Sequence, residues 1–337
     1  MQQYTTKKIF VVNAVRKNKK ATRFIIFFVF IIFVSFLVNN KNYDNYPGKI
    51  KFSVICQAQD SEYWKSFAQG AIDAANELDI LVTVTGPFAE TMVTEQIAII
   101  ETEISKKKDG LLIAANQPSS IKPVFEKAKI ENIPILEVDV ECDWEGRKGY
   151  VGAGNYEGGY KAGEWLNKHL KTNKKIAIIR GLLGDPTHDL RVRGCLDALK
   201  DLIEVVGIHV ANSERGIAVG TMENILLANP TIGGVFCTND DMALGAASAI
   251  EQNDGKILIV GFDGTLEALR SVKNGKLSAT ISCTGYEVAF LAVTTLYNMI
   301  TTHEETQKRI LLEPNCIDIS NVDEYILDAE SIHQKMR

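Results

Sequence analysis

From residue 50 onward, short β-branched and aliphatic runs alternate with stretches in which apolar side chains recur every three or four positions. The runs 50–55, 80–85, 110–113 and 134–138 read as strands, and the intervening segments 63–78, 91–106 and 121–131 as helices. In the first of these helices Trp64, Phe67, Ala71, Ala74 and Leu78 form one apolar stripe, the pattern of a helix laid on a sheet. Strand, helix and strand in succession predict a parallel sheet with right-handed crossovers. A second series follows: helix 156–169 with Asn155 as its N-cap, strand 175–180, helix 189–199, strand 204–210 and helix 218–227. Two α/β series of similar length predict two lobes.

The second series ends on two strand–turn–helix units. Val235-Phe236-Cys237 runs into Thr238-Asn239-Asp240-Asp241-Met242-Ala243, and Ile257-Leu258-Ile259-Val260 runs into Gly261-Phe262-Asp263-Gly264-Thr265. Each unit delivers a polar side chain, Asn239 or Asp263, to the carboxyl end of a buried strand, where open α/β sheets bind ligands. Asn and Asp at such positions also cap the following helix, so a capping role stands beside the binding role.

The amino-terminal residues break the pattern. Residues 1–23 carry seven basic side chains and no acidic one, and 24–38 is an apolar run interrupted only by Ser35. At 1.5 Å per residue that run spans roughly 22 Å, against a hydrocarbon core of ~30 Å that Ala21, Thr22 and a snorkelling Arg23 help to fill. The segment reads as a membrane anchor with a cytoplasmic basic side and an extracytoplasmic body; a cleaved signal peptide is the alternative. No Ala-x-Ala-like site and no lipid-accepting cysteine follow it. Residues 39–48, polar and ending in Pro47-Gly48, read as a tether.

Charge and motifs narrow the function. The formal charge of −5 becomes −12 once the basic segment is set aside (30 basic against 42 acidic groups), so nucleic acid is not an expected partner. The glycines of 152–159 fit neither a dinucleotide fingerprint nor a P-loop, and no nucleophile elbow or zinc-protease motif occurs. Six cysteines lie far apart without a Cys-x-x-Cys pair and read as small core hydrophobes. No cofactor, no metal and no catalytic residue is expected.

Tyr63-Trp64, Ile133-Pro134 leading to Asp139, Arg191-Val192-Arg193-Gly194, Thr238 to Ala243 and Gly261 to Thr265 stand in the order found in the ribose and galactose type of extracytoplasmic sugar-binding proteins. The chain resembles that family from about 49 to 319. The resemblance implies a two-lobed type I periplasmic-binding-protein fold. Its lobes would be 49–153 plus 284–313 and 154–283 plus 314–330, with crossings near Ala153, Cys283 and Pro314. It implies a cleft in which Tyr63 and Trp64 supply aromatic faces, Arg191 a two-pronged donor, Asp139 and Asp263 acceptors, and Asn239 both functions. Arg193, about 200° round the helix from Arg191, is expected in solvent.

Where ribose binders carry arginine, phenylalanine and glutamine, this chain has Val140, Ser213 and Cys283, which argues against ribose itself. His188 and Asp189, in a longer turn, and Cys283 are weaker ligand candidates. The implied function is a membrane-tethered receptor for a monosaccharide, an aldopentose such as xylose first, that signals by closure to a membrane sensor histidine kinase. The solute-binding component of an ABC sugar permease is the alternative. A sugar-responsive repressor would need a helix-turn-helix where the apolar segment stands.

Overall fold

A computed structural model describes residues 48–199, 203–251, 257–302 and 308–336. The anchor and the basic segment expected at 1–38, and all of the tether but Gly48, lie outside them. Among the described residues no helix is long and apolar enough to cross a membrane.

Within the body 50–337, the first lobe contains β1 (Lys51–Ile55), α1 (Glu62–Glu77), β2 (Leu81–Thr85), α2 (Val93–Ser105), β3 (Gly110–Ile113), α3 (Pro118–Ile130), β4 (Ile135–Val138) and β5 (Gly149–Ala153). The second contains α4 (Asn155–His169), β6 (Lys175–Arg180), α5 (Pro186–Leu199), β7 (Glu204–Val210), α6 (Arg215–Ala228), β8 (Gly234–Cys237), α7 (Asp240–Glu251), β9 (Leu258–Asp263), α8 (Leu266–Lys273) and β10 (Ala279–Ser282). The chain then returns to the first lobe for α9 (Gly285–Thr301) and β11 (Arg309–Leu312), and ends in the second with β12 (Asn315–Asp318) and α10 (Val322–Lys335).

Both sheets have the same strand order. The first reads β11-β5-β4-β3-β1-β2 with every pair parallel, and the second β12-β10-β9-β8-β6-β7 with only β12 antiparallel. In each, the first strand of the lobe lies between the second and third, so the winding direction reverses beside it; the crevice at that reversal is where open α/β sheets hold ligands. Alternation along the strands sends Phe52 and Val54 towards α1 and α9, and Ile55 towards α2 and α3. In the second sheet Ala177 and Ile179 face α6, α7 and α8, while Ile176 and Ile178 face α4 and α5.

Five of the six cysteines are buried, and none is disulfide-bonded. Three segments join the lobes: Gly154 between β5 and α4, Cys283 and Thr284 between β10 and α9, and Glu313 and Pro314 between β11 and β12. Two of them are tied together, since Gly154 N donates to Leu312 O at 2.9 Å.

Two boundaries differ from the sequence reading. Gly154, not Asn155, caps α4, and Asn155 is its first residue. The Asn155 side chain is drawn to Arg191 instead, its Oδ1 accepting from Nε at 2.8 Å. Helix α5 begins at Pro186 rather than Asp189, because Asp185 Oδ1 accepts from Thr187 N at 2.8 Å and proline suits a first helical turn.

Candidate functional site

The carboxyl ends of the two sheets face each other across a cavity of about 600 Å³. Tyr63, Trp64 and Asp139 line it from the first lobe, and Arg191, Asn239 and Asp263 from the second. His188 lines it as well, whereas Asp189 and Cys283 do not.

Arg191 is seated by a close helix–helix contact. A Cβ on Gly194 would stand 2.0 Å from Tyr156 O, and one on Gly159 would stand 2.0 Å from Arg191 O. Only glycine lets α5 approach α4 this far, which gives the Arg-x-x-Gly spacing its physical reason. From there the guanidinium reaches Asn155 Oδ1 at 2.8 Å, Thr238 O at 2.7 Å and Asp263 Oδ1 at 3.3 Å, and it stacks 3.7 Å from the Phe262 ring centre. Arg193 is exposed, with its side chain 74% accessible.

Asp263 ends β9 with φ of +123°, a strained backbone for a residue with a side chain. Gly264 follows at φ +74°, and a Cβ there would meet Ser282 Oγ at 2.3 Å. The turn therefore aims the Asp263 carboxylate into the cleft, and Thr265 caps α8 in its place. Burial pushes the Asp263 carboxyl well above the usual range, and Arg191 beside it pulls the other way.

Asp139 also has a left-handed backbone, at φ +62°. The Tyr63 hydroxyl donates to its Oδ1, and Tyr150 OH donates to its backbone carbonyl at 2.9 Å. Burial raises its pKa, and the Tyr63 bond and Arg191 oppose that rise.

Asn239 has the capping role, its Oδ1 accepting from Met242 N at 2.9 Å at the start of α7; its Nδ2 donates to Ser213 O at 3.3 Å, and the residue also lines the cavity. Trp64 does the same in another way. It heads the core stripe, packing edge-on against Phe67 at 5.2 Å, and also lines the cleft.

His188 and Arg191, three residues apart, share one face of α5. The imidazole lies between Thr238 Oγ1 at 2.8 Å and Ser213 Oγ at 3.1 Å, and burial together with Arg191 and Arg180 keeps its pKa well below the ordinary histidine value. It is a neutral hydrogen-bonding group. Asp189, one residue on, is turned about 100° away and forms an ion pair with Arg180 outside the cavity. Cys283 lies in the first-lobe core at a crossing segment, off the cavity wall. Both are corrections to the sequence reading.

Several cavity residues carry no motif. Glu90, in the loop between β2 and α2, accepts from Trp64 Nε1 at 3.3 Å; burial, with Asp185 and Asp139 nearby, pushes its carboxyl up to about 7. Gln57 crosses between the lobes, donating to Asp185 Oδ2 at 2.9 Å.

Residues 52–305 match the family model described as "Periplasmic binding protein domain". The chain belongs to the periplasmic binding protein family. Among relatives in this family, the ribose import binding protein of Bacillus subtilis is 32% identical over 189 residues, covering 56% of this chain and 62% of that protein, slightly under two thirds of its length. The D-allose-binding periplasmic protein of Escherichia coli is 26% identical over 244 residues, covering 69% and 78%. An ABC transporter periplasmic solute-binding protein of Actinobacillus succinogenes, solved with bound D-allose, superposes with a TM-score of 0.77. It is 31% identical, and the match covers 82% of this chain and all of that one. These relatives are sugar-binding proteins rather than enzymes, and the family implies an extracytoplasmic location.

Proposed function

We propose that the chain is an extracytoplasmic receptor that binds a monosaccharide, with Tyr63, Trp64, Asp139, Arg191, Asn239 and Asp263 contacting it. The supporting observation is that these six side chains, drawn from two lobes, line one cavity. A sugar offers hydroxyls and C–H faces, and the cavity offers carboxylates, a guanidinium, an amide and two aromatic rings. Val140, Ser213 and Cys283 leave out three side chains of the ribose pattern, so an aldopentose other than ribose, xylose first, is the ligand to try.

The partner is read from the amino terminus. A basic segment followed by the apolar run 24–38, with no lipid-accepting cysteine after it, supports a receptor anchored in the bilayer by a single pass that signals its closure to a sensor histidine kinase. A second reading, delivery to an ABC permease, is supported by the import and transport roles named for the relatives. Co-purification of the full chain from membranes separates the two. Recovery of a histidine kinase supports the sensor; recovery of permease subunits alone rejects it.

A further inference from the structure

Glu62 lies one residue before the aromatic pair, on the first lobe, yet its carboxylate is bonded to the second. Oε1 accepts from Leu266 N at 2.8 Å and Oε2 from Glu267 N at 3.4 Å. Those amides open α8, the helix that follows the Asp263 turn. The first backbone N–H groups of a helix have no partner within it. Here all four are satisfied: Thr265 N by Asp240 Oδ2 at 2.8 Å, Ala268 N by Thr265 Oγ1 at 3.3 Å, and the middle two by Glu62. A carboxylate at that end is further favoured by the helix dipole.

We infer that Glu62 is a positioning residue for ligand retention, a cross-lobe cap of α8 that exists only when the lobes are closed. Opening the cleft returns both amides and the carboxylate to water. The cap also couples two parts of the candidate site, because Glu62 is contiguous with Tyr63 and Trp64 while α8 follows Asp263. Ligand that draws the rings and Asp263 together brings Glu62 onto its amides, and the charge-assisted bonds then slow reopening. Gln57 to Asp185 and Lys335 to Asp73 are further interlobe bonds, each between side chains. Glu62 differs in that its partners are backbone, which no side-chain change in the second lobe removes.

The inference rests on the proposed sugar-binding reading, and the test separates the two. Stopped-flow Trp fluorescence gives sugar association and dissociation rates for the full chain, and amide exchange reports Leu266 and Glu267 directly. Glu62→Ala should raise the dissociation rate about tenfold, as expected for loss of one charge-assisted bond, with association little changed. Glu62→Gln, which keeps one acceptor oxygen, should fall between it and wild type. Saturating sugar should slow exchange at Leu266 and Glu267 in wild type and not in Glu62→Ala; a direct sugar contact by Glu62 does not predict this. An unchanged dissociation rate, or equal protection of the two amides in wild type and variant, overturns the inference. Should no monosaccharide bind wild type, the sugar reading falls. The cap is then decided by exchange in a chain held shut by an engineered cross-lobe disulfide, where faster exchange at the two amides in Glu62→Ala supports it and equal exchange overturns it.

Discussion

Arg191 and Asp263 are both under a tenth exposed and lie 3.3 Å apart, so each is the other's principal charge partner inside the cleft. Removing either leaves a desolvated charge without its partner as well as deleting a proposed sugar contact, which costs more than the bond alone. Arg191→Ala and Asp263→Ala should each weaken sugar binding by about 2–4 kcal/mol in titration calorimetry; unchanged affinity in both excludes the site. Glu90 gives a prediction in pH. Its carboxyl is raised from 4.5 to about 7, so the folded chain holds a proton that the unfolded chain releases. The stability this group contributes is full below about 4.5 and is lost as pH rises through 7. Glu90→Gln should therefore gain on wild type between pH 5 and pH 8, by about 2–4 °C in melting temperature for each kcal/mol recovered. Parallel melting curves across that range would show the carboxyl is not held in this way. At this scale the sequence revealed residues that end strands, such as Asn239 and Asp263, because a buried run stopping at a polar turn is visible. Gln57 and Glu90 were not visible, since they sit in loops whose path depends on both lobes. Asp189 was placed wrongly because an angle of 100° on α5 decides its side, and that helix begins three residues earlier than its periodicity indicates.

Helices α4 and α5 meet through Gly159 and Gly194, and this contact carries Arg191 to its partners. Gly159→Ala and Gly194→Ala each place a methyl against backbone, which should destabilise the chain by about 1–3 kcal/mol and weaken sugar binding by shifting Arg191. Gly220→Ala, on α6 with open space around it, is the control and should be neutral or slightly stabilising. Thermal melts and calorimetry of the three variants test the contact, and equal effects at 194 and 220 would dismiss it. Most helices and strands of both lobes were readable from period alone. The strands β5, β10 and β11 were not, being four or five residues long beside segments that change lobe. Asn155 read as a cap because Asn before an apolar period usually is one; the guanidinium of Arg191, far along the chain, outcompetes the helix for its side chain.

The two lobes repeat one winding order and present the same ends of their sheets to each other, so the site exists only where both contribute. Ligand that binds there favours closure by no more than its differential affinity for the closed form, and the proposed signalling by closure has the same limit. Repetition of the α/β series made two lobes legible, whereas the three crossings were implied by family resemblance, because periodicity says nothing about which sheet a strand joins. X-ray scattering should show a smaller radius of gyration on saturation with sugar in wild type and no change in Arg191→Ala. The most direct measurement is titration calorimetry of wild type and Arg191→Ala with xylose, ribose, allose and further pentoses and hexoses. One monosaccharide should bind wild type with one-to-one stoichiometry and lose at least tenfold in affinity in the variant; heats absent for every sugar, or identical in the two proteins, would contradict a sugar site between the lobes.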